Sequence, residues 1–86
     1  MPEISRFFGI VVRMYYEEHA PPHFHATYGE QEGVVELQSL SMMAGHLSPR
    51  VLGLVVEWAS AHRAELEANW ERARSGRPLR RVEPLR

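Results

Sequence analysis

The chain has 86 residues, is 44% hydrophobic and 24% charged, and carries a formal net charge of −1. These values suit one small globular domain with a modest core, to which a partner or a second copy could add stability. The absence of cysteine excludes a disulfide frame and thiolate chemistry, and no apolar run approaches the roughly 18 residues that span a bilayer, so no membrane partner is expected. The N-terminus has no basic region followed by an apolar stretch, which predicts a cytoplasmic protein without a secretory signal.

Residues 4–16 read as a first strand, because Phe7-Phe8-Gly9-Ile10-Val11-Val12 and Tyr15-Tyr16 are aromatic or β-branched. Gly9 suggests a bulge or a close backbone approach within it. Pro21 and Pro22 force a turn over residues 17–22. Residues 23–28 form a second strand and Gly29-Glu30-Gln31 its hairpin connection. Residues 33–38 form a third strand, and Ser41-Met42-Met43-Ala44 a short fourth one ending at Gly45. Ser48 is a good N-cap and Pro49 suits the first helical position. The stripe Val51, Val55, Trp58, His62, Leu66, Trp70, Ala73 recurs at helical spacing, and Ser75-Gly76 with Pro78 closes it. A single helix over 48–75 would be roughly 37 Å long and would overhang a small sheet. Gly53, inside it, calls for close contact with the sheet, since glycine there costs about 1 kcal/mol against alanine.

The expected fold is therefore α+β: a single domain, 1–86, with a three- to four-stranded antiparallel meander over 1–47, one long helix over 48–75 and a basic tail over 76–86. The tail region is distinctive. Residues 72–86 hold six Arg (Arg72, Arg74, Arg77, Arg80, Arg81, Arg86) against Glu83 alone, a local +5 on a body of −6. Such a patch could contact RNA, DNA or an acidic protein, or it could be a solvated face. Trp70 in the overhang, with Arg74, Arg77, Arg80 and Arg81, is the expected partner surface.

Three of the five histidines, His19, His23 and His25, fall within seven residues. On a strand, side chains at i and i+2 share a face, so His23 and His25 project together. His19 lies across the double proline, and His62 is on the buried stripe of the helix. With Glu30 or Glu65 adding a carboxylate, His19, His23, His25 and His62 are candidate ligands for Zn²⁺ or a similar divalent metal. A metal-free alternative is general acid–base cleavage of an RNA phosphodiester by His23 and His25 beside Tyr28 and Glu30, with Arg50 or Arg63 stabilising the charge. The plain alternative is that these histidines pack and hydrogen-bond on a half-buried sheet.

Arg6-Phe7-Phe8-Gly9-Ile10, Tyr15, the Glu18-to-Glu30 block with Pro21-Pro22-His23-Phe24-His25 and Tyr28-Gly29-Glu30, Pro49-Arg50, Glu57-Trp58, His62-Arg63, Asn69-Trp70 and Glu83-Pro84-Leu85 together resemble domain-of-unknown-function family 4160 from Pro2 to Leu85. The chain departs from that pattern at Ser39-Leu40-Ser41-Met42, where a tight Thr-Gly-Glu-type turn is usual. The resemblance implies a small bacterial protein encoded beside a second small protein, in a toxin–antitoxin-like pair. The function expected is a small interaction module of such a pair, with the histidines as its functional centre. A homodimer is also open. The alternative is a His-dependent, metal-assisted nuclease acting on RNA, with His23, His25, Glu30 and Arg63 as its catalytic residues.

Overall fold

A computed structural model describes residues 2–86. Five strands, β1 (Glu3–Phe7), β2 (Ile10–Arg13), β3 (His23–Tyr28), β4 (Gln31–Glu36) and β5 (Met42–His46), form one antiparallel sheet in the order β1-β2-β3-β4-β5. Two helices follow, α1 (Pro49–Ala61) and α2 (Arg63–Arg74), and the remaining residues run extended over the sheet edge. The α+β class stands, but the three- to four-stranded sheet and the single long helix do not.

Two local features account for the difference. Phe8 and Gly9 both take positive φ, 51° and 81°, and so make the tight hairpin turn whose twist matches the flanking strands. The apolar run over 4–16 is thus folded back on itself, with Phe7 paired to Ile10 and Arg6 to Val11. Gly9 does meet a close neighbour: a Cβ there would sit 3.1 Å from the Tyr28 ring.

The helix breaks at His62, whose backbone (φ −130°, ψ 29°) leaves the helical region. Its N–H turns to the carbonyl of Ala59, 3.1 Å away, tightening the last turn, while its own carbonyl accepts from Leu66 to start α2. The longest dimension of the molecule is 33 Å, so a straight helix over 48–75 would protrude. The break instead returns α2 to the body. Leu66 and Trp70 join Val51, Val55 and Trp58 in one core cluster, and Ala73 is buried. Ser48 caps α1 as its sequence predicts, accepting from the Val51 N–H. Gly53 has no atom near a hypothetical Cβ, so the close sheet contact expected for it is absent.

The short strand expected over 41–44 is β5, which starts at Met42 and runs two residues further than expected, through Gly45 to His46. Gly45 (φ +78°) lies against the Glu32 backbone so closely that any Cβ would collide with the Glu32 carbonyl. The turn before it is closed by the Leu40 N–H on the Glu36 carbonyl, with Leu40 at φ 57°. The core lies between sheet and helices: Ile4, Ile10, Val12, Met14, Phe24 and Val35 meet Val51, Val55, Trp58, Leu66 and Trp70. No helix among the described residues is long and apolar enough to cross a membrane.

Candidate metal centre

The centre forms where β3 begins. After β2 the chain reverses at Tyr16-Glu17, with Glu17 at φ 60°, and the following residues pass back over the head of β3. This brings Glu18 opposite the strand pair His23/His25. Glu18 Oε1 is 2.6 Å from His25 Nε2 and 3.2 Å from His23 Nε2. One ligand atom from each of the three residues falls within 4.8 Å of the others. The two imidazole rings lie 5.5 Å apart. The Tyr15 ring stands edge-on to His25 at 4.6 Å, and the Trp70 indole covers His23 at 5.1 Å.

The protons can be assigned in part from these contacts. His23 Nδ1 is 2.7 Å from the Pro21 carbonyl, which can only accept, so Nδ1 carries hydrogen. A neutral His23 therefore turns the Nε2 lone pair towards a carboxylate oxygen. Two lone pairs facing each other call for a cation, either a proton that makes the ring an imidazolium or a metal ion. His25 differs. Its Nδ1 is buried without a partner, and its Nε2 lies 2.6 Å from Glu18 Oε1, so an ionised Glu18 sets the hydrogen on Nε2. Burial pushes the Glu18 carboxyl up, but hydrogen bonds from His25 and His23 outweigh it and hold the group below the usual carboxylate range.

The donor set is one that could hold a divalent ion. Ligands 2.0–2.1 Å from a tetrahedral ion are about 3.3 Å apart; the His23–Glu18 separation of 3.2 Å matches that spacing, whereas His25 and Glu18, at 2.6 Å, stand at hydrogen-bond distance and would have to separate. A ligating histidine typically donates its other ring N–H to a carbonyl, as His23 does to Pro21. Two His and one Glu would supply three of the four ligands that such an ion takes.

Several other expected residues lie elsewhere. His19 is exposed and outside the convergent group. His62, at the helix break, has Nδ1 2.6 Å from Glu65 Oε1 and its ring 5.9 Å from Trp58. Glu30 is in the β3–β4 turn, at the opposite end of β3 from His23, roughly 20 Å away at about 3.3 Å per residue. Arg63 donates to the carbonyls of Leu37 and Gln38 at 2.9 and 3.0 Å, tying α2 to the loop after β4. Trp70 is 4% exposed and covers His23 within the core, which corrects its reading as a partner contact.

The Arg-rich tail is also not a loose segment. Val82 N–H bonds the Ile4 carbonyl, the Trp58 indole N–H bonds the Glu83 carbonyl, and buried Asn69 clasps both backbone groups of Arg80. Arg74 and Arg81 pair with Glu71 and Glu3, whereas the exposed side chains of Arg77 and Arg80 make no ion pair among the described residues. Glu18 is the residue that sequence reasoning missed. The available signal was a carboxylate seven positions before His25 across a forced turn, and ring-to-carboxylate distance cannot be read from such spacing.

An antiparallel sheet backed by two helices, with a Glu-His-His cluster at the head of its central strand, defines the class: a small α+β domain with one polar centre. The chain belongs to the family described as Domain of unknown function (DUF4160), whose family model matches residues 9–71. The match covers the cluster, the segment that carries His19, the helix break at His62 and most of α2, and stops short of the span from Pro2 to Leu85 over which the motifs run. No match is found among curated proteins or among solved structures.

Proposed function

We propose that the chain is a metal-binding module that holds a zinc-type divalent ion through Glu18, His23 and His25. The observation that supports this reading is the convergence of three ligand atoms within 4.8 Å, one of them on a ring whose other nitrogen is already committed to a carbonyl. Such an ion would supply Lewis-acid chemistry, which in three-ligand sites lowers the pKa of water to about 7, and Glu18, His23 and His25 would be the residues that hold it. That is the chemistry a metal-assisted hydrolase, including an RNA nuclease, would use. The test is a zinc titration against a chromophoric chelator. One ion per chain is expected for the wild type and none for His23→Ala/His25→Ala; equal binding by both proteins, or none by the wild type, overturns the reading.

A second reading, an interaction module that takes a small protein partner in a toxin–antitoxin-like pair, has one supporting feature. The β1 edge receives the tail at Ile4, whereas β5 is an edge strand that is mostly exposed. An open edge can accept a strand from another chain. Native mass spectrometry of the chain purified from its host distinguishes a complex of two small proteins from a lone chain, and the lone chain would sink this reading.

A further inference from the structure

The six arginines of residues 72–86 divide into two groups. Arg74, Arg81 and Arg86 each meet a carboxylate: Glu71 at 3.4 Å, Glu3 at 3.0 Å and Glu83 at 2.8 Å. Arg72, Arg77 and Arg80 pair with none among the described residues. These three, with Pro78 and Leu79, line one open cavity of about 290 Å³. Arg72 and Arg80 also line a second cavity of about 290 Å³, between α2 and the tail, and so stand between the two.

Asn69 fixes this arrangement from the core. It is 1% exposed, accepts from Arg72 Nη1 at 2.8 Å, and bonds the N–H and carbonyl of Arg80 at 2.9 and 2.8 Å. The Arg72 guanidinium and the backbone that carries Arg80 are thus set in place before any ligand arrives, which lowers the cost of ordering them on binding. Like charges gathered around one space repel unless an anion comes between them. The acidic side chains close by are otherwise engaged. Glu65, which also lines the second cavity, is held by His62 at 2.6 Å, and Glu71 is held by Arg74. A guanidinium offers parallel N–H donors that match the oxygens of a phosphate group. Two cavities that share two arginines suit two such groups in succession.

We infer that the cleft of Arg72, Arg77 and Arg80 binds a pair of neighbouring phosphate groups, one in each cavity, as in a diphosphate or in successive links of a single-stranded nucleic acid. The inference does not rest on the metal reading, since Glu18, His23 and His25 line neither cavity.

The experiment uses the full chain without added metal ion, at low ionic strength. Calorimetry measures binding of orthophosphate and pyrophosphate, and fluorescence anisotropy measures binding of a labelled oligouridylate. Wild type is compared with Arg77→Gln/Arg80→Gln and with Arg74→Gln/Arg86→Gln. Both variants lose two charges, and all four side chains are exposed, so both should fold as the wild type does. Wild type should bind a two-phosphate probe more tightly than orthophosphate. Arg77→Gln/Arg80→Gln should weaken that binding about 10- to 100-fold, the effect of losing charged hydrogen-bond donors. Arg74→Gln/Arg86→Gln should weaken it less than about 3-fold, as expected of screened surface charge. With the oligouridylate, the first variant should also flatten the slope of log affinity against log salt by about 1.4, two phosphate contacts at about 0.7 each. Tighter binding of pyrophosphate assigns a diphosphate, and tighter binding of the oligouridylate assigns a strand; either supports the cleft. Equal losses in the two variants, orthophosphate bound as tightly as both two-phosphate probes, or no anion binding by the wild type overturns it and leaves the metal reading standing.

Discussion

The histidine-bearing turn and the arginine-bearing tail are alike in sequence, each a run in which one functional residue type is concentrated, yet they reach opposite structural ends. In the turn, charged and titratable atoms converge: Glu18, His23 and His25 face one another at 2.6 and 3.2 Å. In the tail the segment is held mostly by its neutral groups. Backbone carbonyls and amides of Arg80, Val82 and Glu83 bond Asn69, Ile4 and Trp58, and Val82 enters the core. The charged ends of the tail arginines point outwards. Concentration of a residue type marks a region as unusual, and only the direction of its side chains decides whether they converge on one another or belong to a strap that turns its charges to solvent.

This contrast can be broken or sharpened by substitution. The largest effect should come from Trp58→Ala. Trp58 is fully buried, packs on Phe7 and Phe24, and anchors the tail through Glu83, so urea unfolding should register a loss of about 3–5 kcal/mol. A loss below about 1 kcal/mol would mean that the tail and core are not one unit. Next, Glu18→Gln should weaken zinc binding by about 100-fold, the upper end of what losing an outer-shell partner costs, with little change in the unfolding midpoint. Unaltered zinc affinity would remove Glu18 from the ligand set.

Asn69→Ala tests the strap more finely. It orphans the Arg80 N–H and carbonyl and frees Arg72, and should cost about 1–3 kcal/mol while leaving zinc affinity intact. Faster amide exchange at Val82 should accompany it, and exchange unchanged from wild type would contradict the strap. The smallest effect concerns acid. Hydrogen bonds from Arg6 and Arg81 hold the Glu3 carboxyl at about 2, below its ordinary 4.5. A carboxyl depressed on folding stabilises the fold above its ordinary pKa, and that contribution is lost as pH falls through about 2. Wild type should therefore exceed Glu3→Gln slightly in stability at pH 6, and the gap should close towards pH 2. A gap that does not vary with pH would show that the ion pairs contribute nothing, as exposed pairs often do.

Much of the local structure was legible. The Ser48-Pro49 start of α1, the His23–Tyr28 strand and the shared face of His23 and His25 follow from spacing, capping and turn chemistry, which act over a few residues; the hairpin connection expected over 29–31 is one residue shorter, since Gln31 opens β4, which spans 31–36 and not 33–38. The split of the first strand was harder, because Phe8 is a bulky residue in a conformation that glycine or asparagine usually supplies. The break at His62 has no proline or glycine to announce it and interrupts an unbroken helical stripe.

What the sequence determined by itself is the class and the candidates: α+β, strands before helix, and two adjacent imidazoles on one strand face. These depend on periods of two and 3.6 residues, which any stretch of chain carries within it. What the tertiary structure decided is which groups meet. Glu18 joins the histidines because a left-handed Glu17 turns the chain back, and Trp70 covers His23 because the helix breaks eight residues earlier. Arg81 finds a carboxylate because the tail crosses β1 at Glu3, 78 positions away in the chain. Contacts between residues far apart in the chain depend on how elements pack against a shared core, and no local pattern encodes that geometry.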